Sequence, residues 1–266
     1  LQIANCGLKI TPSVAVFHNM KWILLPGLDG TGILFAPFLR ALPPGIEPVV
    51  VVYPADRTCS ADELVGIVLA HLPQSEPCVL IAESFSGPIA LKAASRHVMP
   101  PAAVVLCASF AQCPKPRVLI ATLKSCGTAL TRMRPPRWLV RRYLLGDAAE
   151  EVVALFYHAL GGVSPRVLAH RFSVLLEFDG GFAPLALKSP LLYLQAGGDR
   201  LVKPRNFEIV QRRYPGAHLE RIASPHLILQ VQPQASVQAI SEFLAGLKAG
   251  APAGQKSLFT AGGFVV

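Results

Sequence analysis

Val79-Leu80-Ile81-Ala82-Glu83-Ser84-Phe85-Ser86-Gly87-Pro88-Ile89-Ala90 is the stretch whose reading decides the fold. An apolar run halts on a serine among small residues and passes at once into a helix-like segment. That is the pattern of a sharp strand-to-helix turn that lifts a serine hydroxyl out of a sheet, usually written G-x-S-x-G. Both glycine positions are replaced here, by Ala82 and Ser86. The replacements stay small, as the turn requires where strand and helix backbones nearly touch. Ser84 ends the apolar run and is the candidate nucleophile. Ser86 has Pro88 two residues later, where a small residue is wanted, and reads as a packing residue in the first helical turn.

A serine hydroxyl needs a base, and the base needs an orienting acid. Downstream, Pro190-Leu191-Leu192-Tyr193-Leu194-Gln195-Ala196-Gly197-Gly198-Asp199 reads as a buried strand whose glycine turn delivers an aspartate. Leu219-Glu220-Arg221-Ile222-Ala223-Ser224-Pro225-His226 then reads as a strand followed by a loop carrying a histidine. Serine, acid and histidine thus follow one another in the chain order found in the fold that carries such a turn, each just past the carboxyl end of a predicted strand. In open α/β sheets, catalytic groups gather at that edge. Asp179, in Phe178-Asp179-Gly180-Gly181, competes for the acid but reads better as a turn residue. His97 and His218 compete for the base. His97 closes the helix after Ser84, where a histidine suits the helix dipole, and His218 precedes the last strand, at the wrong end of the sheet.

These motifs resemble those of the α/β-hydrolases, esterase/lipase type, from about Lys21 to about Lys248. Trp22-Ile23-Leu24-Leu25-Pro26-Gly27-Leu28-Asp29-Gly30-Thr31-Gly32 is similar to that family's early strand and oxyanion loop, with Pro26-Gly27 where the family often has His-Gly. The resemblance implies that the backbone N–H groups of Leu28 and Phe85 form the oxyanion hole. The Gly-Leu-Asp-Gly-Thr-Gly wording also resembles a subgroup of bacterial esterases and plant plastid esterase/acyltransferase proteins. Asp29 is awkward beside an oxyanion, and its side chain is expected to turn away and bond loop amides. Asp29 and Trp138 are the candidate substrate-pocket residues.

Strands are expected at Trp22–Leu25, Val49–Tyr53, Val79–Ala82, Ala103–Ala108, Leu191–Gln195 and His218–Ile222. Helices are expected between them at Ala61–Leu72, Ser86–His97, Pro204–Arg213 and Gln234–Leu247. Near-continuous Val/Leu/Ile runs alternating with helices point to a mostly parallel central sheet flanked by helices, an α/β fold. Residues 20–110 and 190–248 make the α/β-hydrolase core. From 111 to 189 there is helical patterning without a good strand, where that family inserts a cap, here a helical lid that would exclude water. Residues 1–19 and 249–266 read as terminal extensions whose role is open; alternatively Leu8–His18 form an edge strand.

The 266 residues, 52% of them hydrophobic, suffice for a large single core. No apolar run reaches the length of about 18 residues that a membrane span needs, and the first twenty residues lack a secretion-signal pattern. The six cysteines show no C-x-x-C spacing; Cys78 and Cys107 fall in buried strands as small hydrophobes. A reducing, cytoplasmic location is expected, without metal or cofactor. Lys115, Arg117, Lys124, Arg132, Arg134, Arg137, Arg141 and Arg142 precede any acid before Asp147, and these eight account for nearly all of the net charge of +9. With Leu119, Leu123, Leu130, Trp138, Leu139, Leu144 and Leu145 interleaved, the segment reads either as a solvated cap face or as a weak contact for an anionic membrane surface. Charge without a recognition motif does not suggest nucleic acid.

The expected activity is carboxylic-ester hydrolysis of hydrophobic small molecules through an acyl-enzyme, with Ser84, Asp199 and His226 as the triad. Acyl transfer, thioester cleavage and lactone cleavage would use the same residues. A non-catalytic hydrolase-fold protein that binds a ligand or membrane is the reading from another class.

Overall fold

Apolar runs too long for one-sided burial become strands buried on both faces. In the computed structural model, which describes residues 20–113, 134–178 and 186–249, six strands pair in parallel: β1 (Met20–Leu25), β2 (Ile46–Val50), β3 (Cys78–Glu83), β4 (Ala103–Cys107), β5 (Leu191–Ala196) and β6 (His218–Ile222). Their order across the sheet is β2-β1-β3-β4-β5-β6. The chain first steps outward from β1 to β2, then returns to lay β3 on β1's other side. The order therefore reverses at the β1–β3 boundary, the crevice where ligands bind in such sheets. Leu25 pairs with Ala82 there, so the loops following these two strands emerge side by side.

Alternation along the strands sorts the core into two layers. Ile23, Leu25, Leu80, Ala82, Leu106 and Tyr193 face one side. There they meet α2 (Ala61–His71), α3 (Gly87–Arg96) and α7 (Arg205–Arg213). Trp22, Leu24, Ile81, Val105 and Leu194 face the other. That layer is covered by α1 (Ala36–Ala41), α8 (Ile228–Val231) and α9 (Pro233–Lys248). The start of α2 is secured by a capping box: Ser60 accepts from the Glu63 amide while Glu63 accepts from the Ser60 amide.

Between β4 and β5 the regular elements of the described chain are all helical: α4 (Arg137–Val140) runs into a π-helical turn at Arg141–Leu145, followed by α5 (Glu150–Gly161) and α6 (Pro165–Glu177). Val140, Leu145, Ala148, Val153 and Ala159 cluster with Leu34 and Leu227, which lie in the segments following β1 and β6. Val174, Leu175 and Phe178 join the larger core. Among the described residues no single helix is long and apolar enough to cross a membrane.

Two expected elements shift. The second strand was placed at Val49–Tyr53 from its apolar run, but the ladder covers Ile46–Val50. This is an edge strand, where Glu47 and Pro48 are tolerated because one side lacks a neighbour. Val51 and Tyr53 are fully buried for another reason: Val51 N–H still bonds Leu24 O at 2.9 Å, and Tyr53 N–H reaches Gly30 O at 2.8 Å, so the chain peels off the sheet to clasp the loop after β1. The helix expected from Ser86 begins instead as a 3-10 turn at Ser84–Ser86, with α3 starting at Gly87 and Pro88 in its first turn, where the missing N–H costs nothing. The Leu8–His18 alternative, Asp179, the tail from residue 250, and Lys115, Arg117, Leu119, Leu123, Lys124, Leu130 and Arg132 lie outside the described residues.

Candidate active site

Every residue of β3 is buried, and Ser84 follows it half-buried with φ of +46°. A side chain in that left-handed region costs on the order of 1 kcal/mol or more and persists only where the surroundings enforce it. They do so by crowding. A Cβ on Gly87 would stand 2.0 Å from Ser109 Oγ and 2.7 Å from Phe110 O, so the helix start lies directly on the residues after β4. Ser109 Oγ also donates to Ser84 O at 2.5 Å. Gly87, three residues after the serine, is thus a position where a side chain would not fit without a shift of its neighbours.

Asp199 and His226 arrive on loops that follow β5 and β6 and are stitched together. Gly197 N–H bonds Ile222 O and Gly198 N–H bonds Ser224 O, both at 2.8 Å. The Asp199 carboxylate is held from both ends: Oδ1 accepts from the Leu201 and Val202 amides at 2.7 and 2.9 Å, and Oδ2 accepts from His226 Nδ1 at 2.7 Å. With its proton committed to Asp199, His226 presents a bare Nε2, which accepts from Ser84 Oγ at 2.9 Å. The Asp199 and His226 side chains are 2% and 4% exposed, so water competes little for either bond. Leu227 N–H bonds Leu144 O at 3.0 Å, tying the histidine loop to the β4–β5 insertion.

The competing histidines are engaged elsewhere. His97 caps α3 and donates from Nδ1 to Met99 O at 2.7 Å; His218 opens β6 and stacks on Phe243.

The loop after β1 lies beside Ser84 with every carbonyl from Pro26 to Gly30 occupied. Ser86 Oγ donates to Pro26 O and accepts from Tyr53 OH at 2.8 Å. Gly30 N–H bonds Gly27 O at 3.1 Å. Arg171, reaching over from α6, donates to Leu28 O at 2.8 Å, to Asp29 O, and to Pro54 O at 3.0 Å. Several N–H groups of the loop, those of Gly27, Leu28, Asp29 and Gly32, have no acceptor among the described residues. Two N–H groups are the expected oxyanion donors: that of Leu28, and that of Phe85, which lies in a first helical turn and lacks an intrahelical acceptor. Asp29 turns its carboxylate onto its own loop, with Oδ2 accepting from Thr31 N–H at 2.9 Å and Thr31 Oγ1 at 2.6 Å. Trp138, expected in the same pocket, is 66% exposed on α4.

Three buried polar side chains here were missed from sequence. Ser86 is a hydrogen-bonding hub rather than a packing residue. Glu83, 1% exposed, accepts from Gln230 Nε2 at 3.0 Å through Oε2, while Oε1 has no partner among the described residues. Burial pushes its carboxyl up to about 7, against the lowering effect of Gln230. Arg171 is 3% exposed, and burial disfavours its charge. A signal for it existed: Val167, Arg171 and Leu175 stand four apart, so a cation interrupts the apolar stripe of a helix. Among the described residues no group of three or more His, Cys, Asp or Glu side chains is arranged to hold a metal ion, and Cys59, Cys78 and Cys107 are buried thiols.

No protein-family model and no curated protein sequence matches the chain. Solved structures do. An esterase from Thermogutta terrifontis aligns over 85% of this chain and 89% of its own, with a TM-score of 0.71 and 20% identity. A carboxylesterase structure from Nitrososphaera gargenis covers 88% and 92%, with a TM-score of 0.70 and 13% identity. An enol-lactonase from Burkholderia xenovorans covers 85% and 92%, with a TM-score of 0.68 and 18% identity. A parallel sheet that reverses its order between β1 and β3, with likenesses of this extent, establishes that the chain has the α/β-hydrolase fold.

Proposed function

We propose that this chain is a serine hydrolase acting on carboxylic esters of hydrophobic small molecules. The observation that carries the reading is the unbroken hydrogen-bonded row from Ser84 Oγ through His226 to Asp199. In this reading the N–H groups of Leu28 and Phe85 are the oxyanion donors; neither has an acceptor of its own among the described residues. As Ser84 Oγ attacks the ester carbonyl carbon, His226 Nε2 takes its proton. Asp199 holds the tautomer and stabilises the imidazolium. The carbonyl oxygen becomes an oxyanion, and the two amides donate to it; losing one such donor typically costs about 10²–10³ in rate. Collapse breaks the ester C–O bond, His226 returns the proton to the departing alcohol, and an acyl-Ser84 remains. Water, giving a proton to His226, then attacks the acyl carbon, and the carboxylic acid leaves with Ser84 re-protonated. No step calls on a metal or organic cofactor. A lactone is a cyclic ester and would follow the same steps, which is how the likeness to an enol-lactonase enters.

Residues 111–189 act in this reading as a cap, with 20–110 and 190–248 as the core. The bond from Leu227 N–H to Leu144 O and the packing of Val140 and Leu145 on Leu34 support a cap that docks beside the histidine loop. Its basic face makes at most weak contact with anionic membrane surfaces, because Arg137 and Arg141 are both paired with Glu150.

The test is turnover of p-nitrophenyl acetate, butyrate, octanoate and palmitate by the purified chain and by Ser84→Ala. Hydrolysis of at least one ester that the variant loses is the expected result. Undiminished hydrolysis by pure Ser84→Ala would refute the nucleophile. A long-chain alcohol added to the assay separates hydrolysis from acyl transfer, since only a transferase forms a new ester.

A further inference from the structure

Arg171 is an expensive residue for its position. A buried cation loses its hydration, and an apolar side chain between Val167 and Leu175 would complete the stripe without that cost. Among the described residues its guanidinium reaches no carboxylate; its bonds go to three backbone carbonyls, those of Leu28, Asp29 and Pro54, and its plane lies 5.9 Å from the Tyr53 ring centre. The space it occupies is made by Gly30, where a Cβ would stand 2.6 Å from the guanidinium nitrogens.

Two of those carbonyls, of Leu28 and Asp29, belong to the loop that carries the Leu28 N–H, and the third, of Pro54, to the chain that follows β2. From Pro26 to Gly30 every carbonyl has a donor: Ser86 Oγ on Pro26, Gly30 N–H on Gly27, Arg171 on Leu28 and Asp29, and Tyr53 N–H on Gly30. A peptide plane is rigid, so fixing its C=O fixes its N–H. The Gly27 carbonyl orients the Leu28 N–H directly. Arg171 locks the next two planes directly; without it they are restrained only through their neighbours, by the Gly27–Gly30 turn, by Tyr53 N–H on Gly30 O and by the Asp29 carboxylate on Thr31.

We infer that Arg171 is a positioning residue: from the β4–β5 insertion it clamps the loop after β1 so that the Leu28 N–H stays aimed at the carbonyl oxygen of a substrate bound at Ser84. This rests on the serine-hydrolase reading and deepens it, because oxyanion stabilisation then depends on the insertion being docked.

The experiment compares wild type with Arg171→Met, Arg171→Lys, Arg171→Ala and Gly30→Ala, each checked for folding by circular dichroism and thermal melting. Three quantities are read for p-nitrophenyl butyrate or another accepted ester: kcat, KM, and the Ki of a trifluoromethyl ketone, which adds to the serine and places an oxyanion in the hole. Arg171→Met should lose about 30–100-fold in kcat with KM within about threefold, since misplacing a positioned group by about 1 Å can cost on the order of 10². Its Ki for the ketone should weaken by the same factor, and the pH profile should keep its shape. Arg171→Lys, with one donor head for three carbonyls, should lose roughly 5–10-fold. Gly30→Ala should resemble Arg171→Met, and methylguanidinium should restore part of the activity of Arg171→Ala. Folded Arg171→Met with kcat and ketone affinity within threefold of wild type overturns the inference while leaving the hydrolase reading intact. A wild type that neither turns over esters nor binds the ketone overturns both. If Arg171→Met fails to fold, Arg171→Lys and amide exchange decide: exchange at Leu28 and Asp29 should quicken in the Lys variant, and unchanged exchange with unchanged kcat overturns the clamp.

Discussion

Replacing Asp199 by Asn isolates one proton. Oδ1 of Asp199 accepts from two backbone amides, at 2.7 and 2.9 Å, and Oδ2 accepts from His226 Nδ1 at 2.7 Å. An asparagine has one acceptor oxygen and one donor NH2. Turning the NH2 toward Leu201 and Val202 would oppose two amide donors, leaving buried groups unsatisfied at about 1–3 kcal/mol each. The oxygen therefore stays on those amides, and the NH2 faces His226. His226 must then accept at Nδ1 and carry its proton on Nε2, where it points at Ser84 Oγ and cannot take the serine's proton. Wrong-tautomer histidine costs about 10³–10⁴ in kcat in a triad of this kind, or roughly 4–5.5 kcal/mol at 1.36 kcal/mol per tenfold. KM should change little, because no substrate contact is touched. Steady-state kinetics on the best p-nitrophenyl ester, with circular dichroism to verify folding, measure it. A folded Asp199→Asn protein with kcat within tenfold of wild type would show that Asp199 does not set the tautomer.

Gly87→Ala should be destabilised by about 2–3 kcal/mol, since its methyl would overlap Ser109 Oγ and Phe110 O; thermal melting within about 1 °C of wild type would contradict the close approach. Glu83 makes a pH-dependent prediction about stability. Its folded carboxyl titrates at about 7, above the ordinary value of 4.5, so the folded state holds a proton that the unfolded state has released. Stability therefore falls as pH rises from about 4.5 to 7, by up to the order of 3 kcal/mol. Urea unfolding at pH 5 and pH 8 should show Glu83→Gln losing less stability than wild type across that range; parallel losses would refute it. Flotation with anionic vesicles at low salt should exceed that with neutral vesicles only slightly, given the Glu150 pairs, and equal recovery in both would remove electrostatic contact altogether.

The strands of the sheet interior were legible because burial on both faces leaves near-continuous apolar runs. Ser84, Asp199 and His226, which the structure brings together, could be picked out because the proposed chemistry needs those three residue types and each follows the end of a predicted strand. What escaped was decided by contacts distant in sequence. The edge strand β2 slid to Ile46–Val50 because apolar Val51 and Tyr53 are buried under a loop rather than in a ladder. Short α8 carries too few residues for a helical period to emerge. Ser86 reads as a packing residue in the sequence and Arg171 is not singled out there, because their partners, Pro26, Tyr53, Leu28 and Pro54, lie far away along the chain. Only the interrupted stripe of α6 hinted at Arg171, and the hint does not name its acceptors.

The central claim is that Ser84 is an activated nucleophile, and a fluorophosphonate probe tests it most directly. Incubation with the purified chain, intact-mass measurement and peptide mapping should give a single adduct on Ser84, absent from Ser84→Ala and retained by Ser86→Ala. Folded protein that gains no adduct, or an adduct that maps to Ser86, would contradict the account.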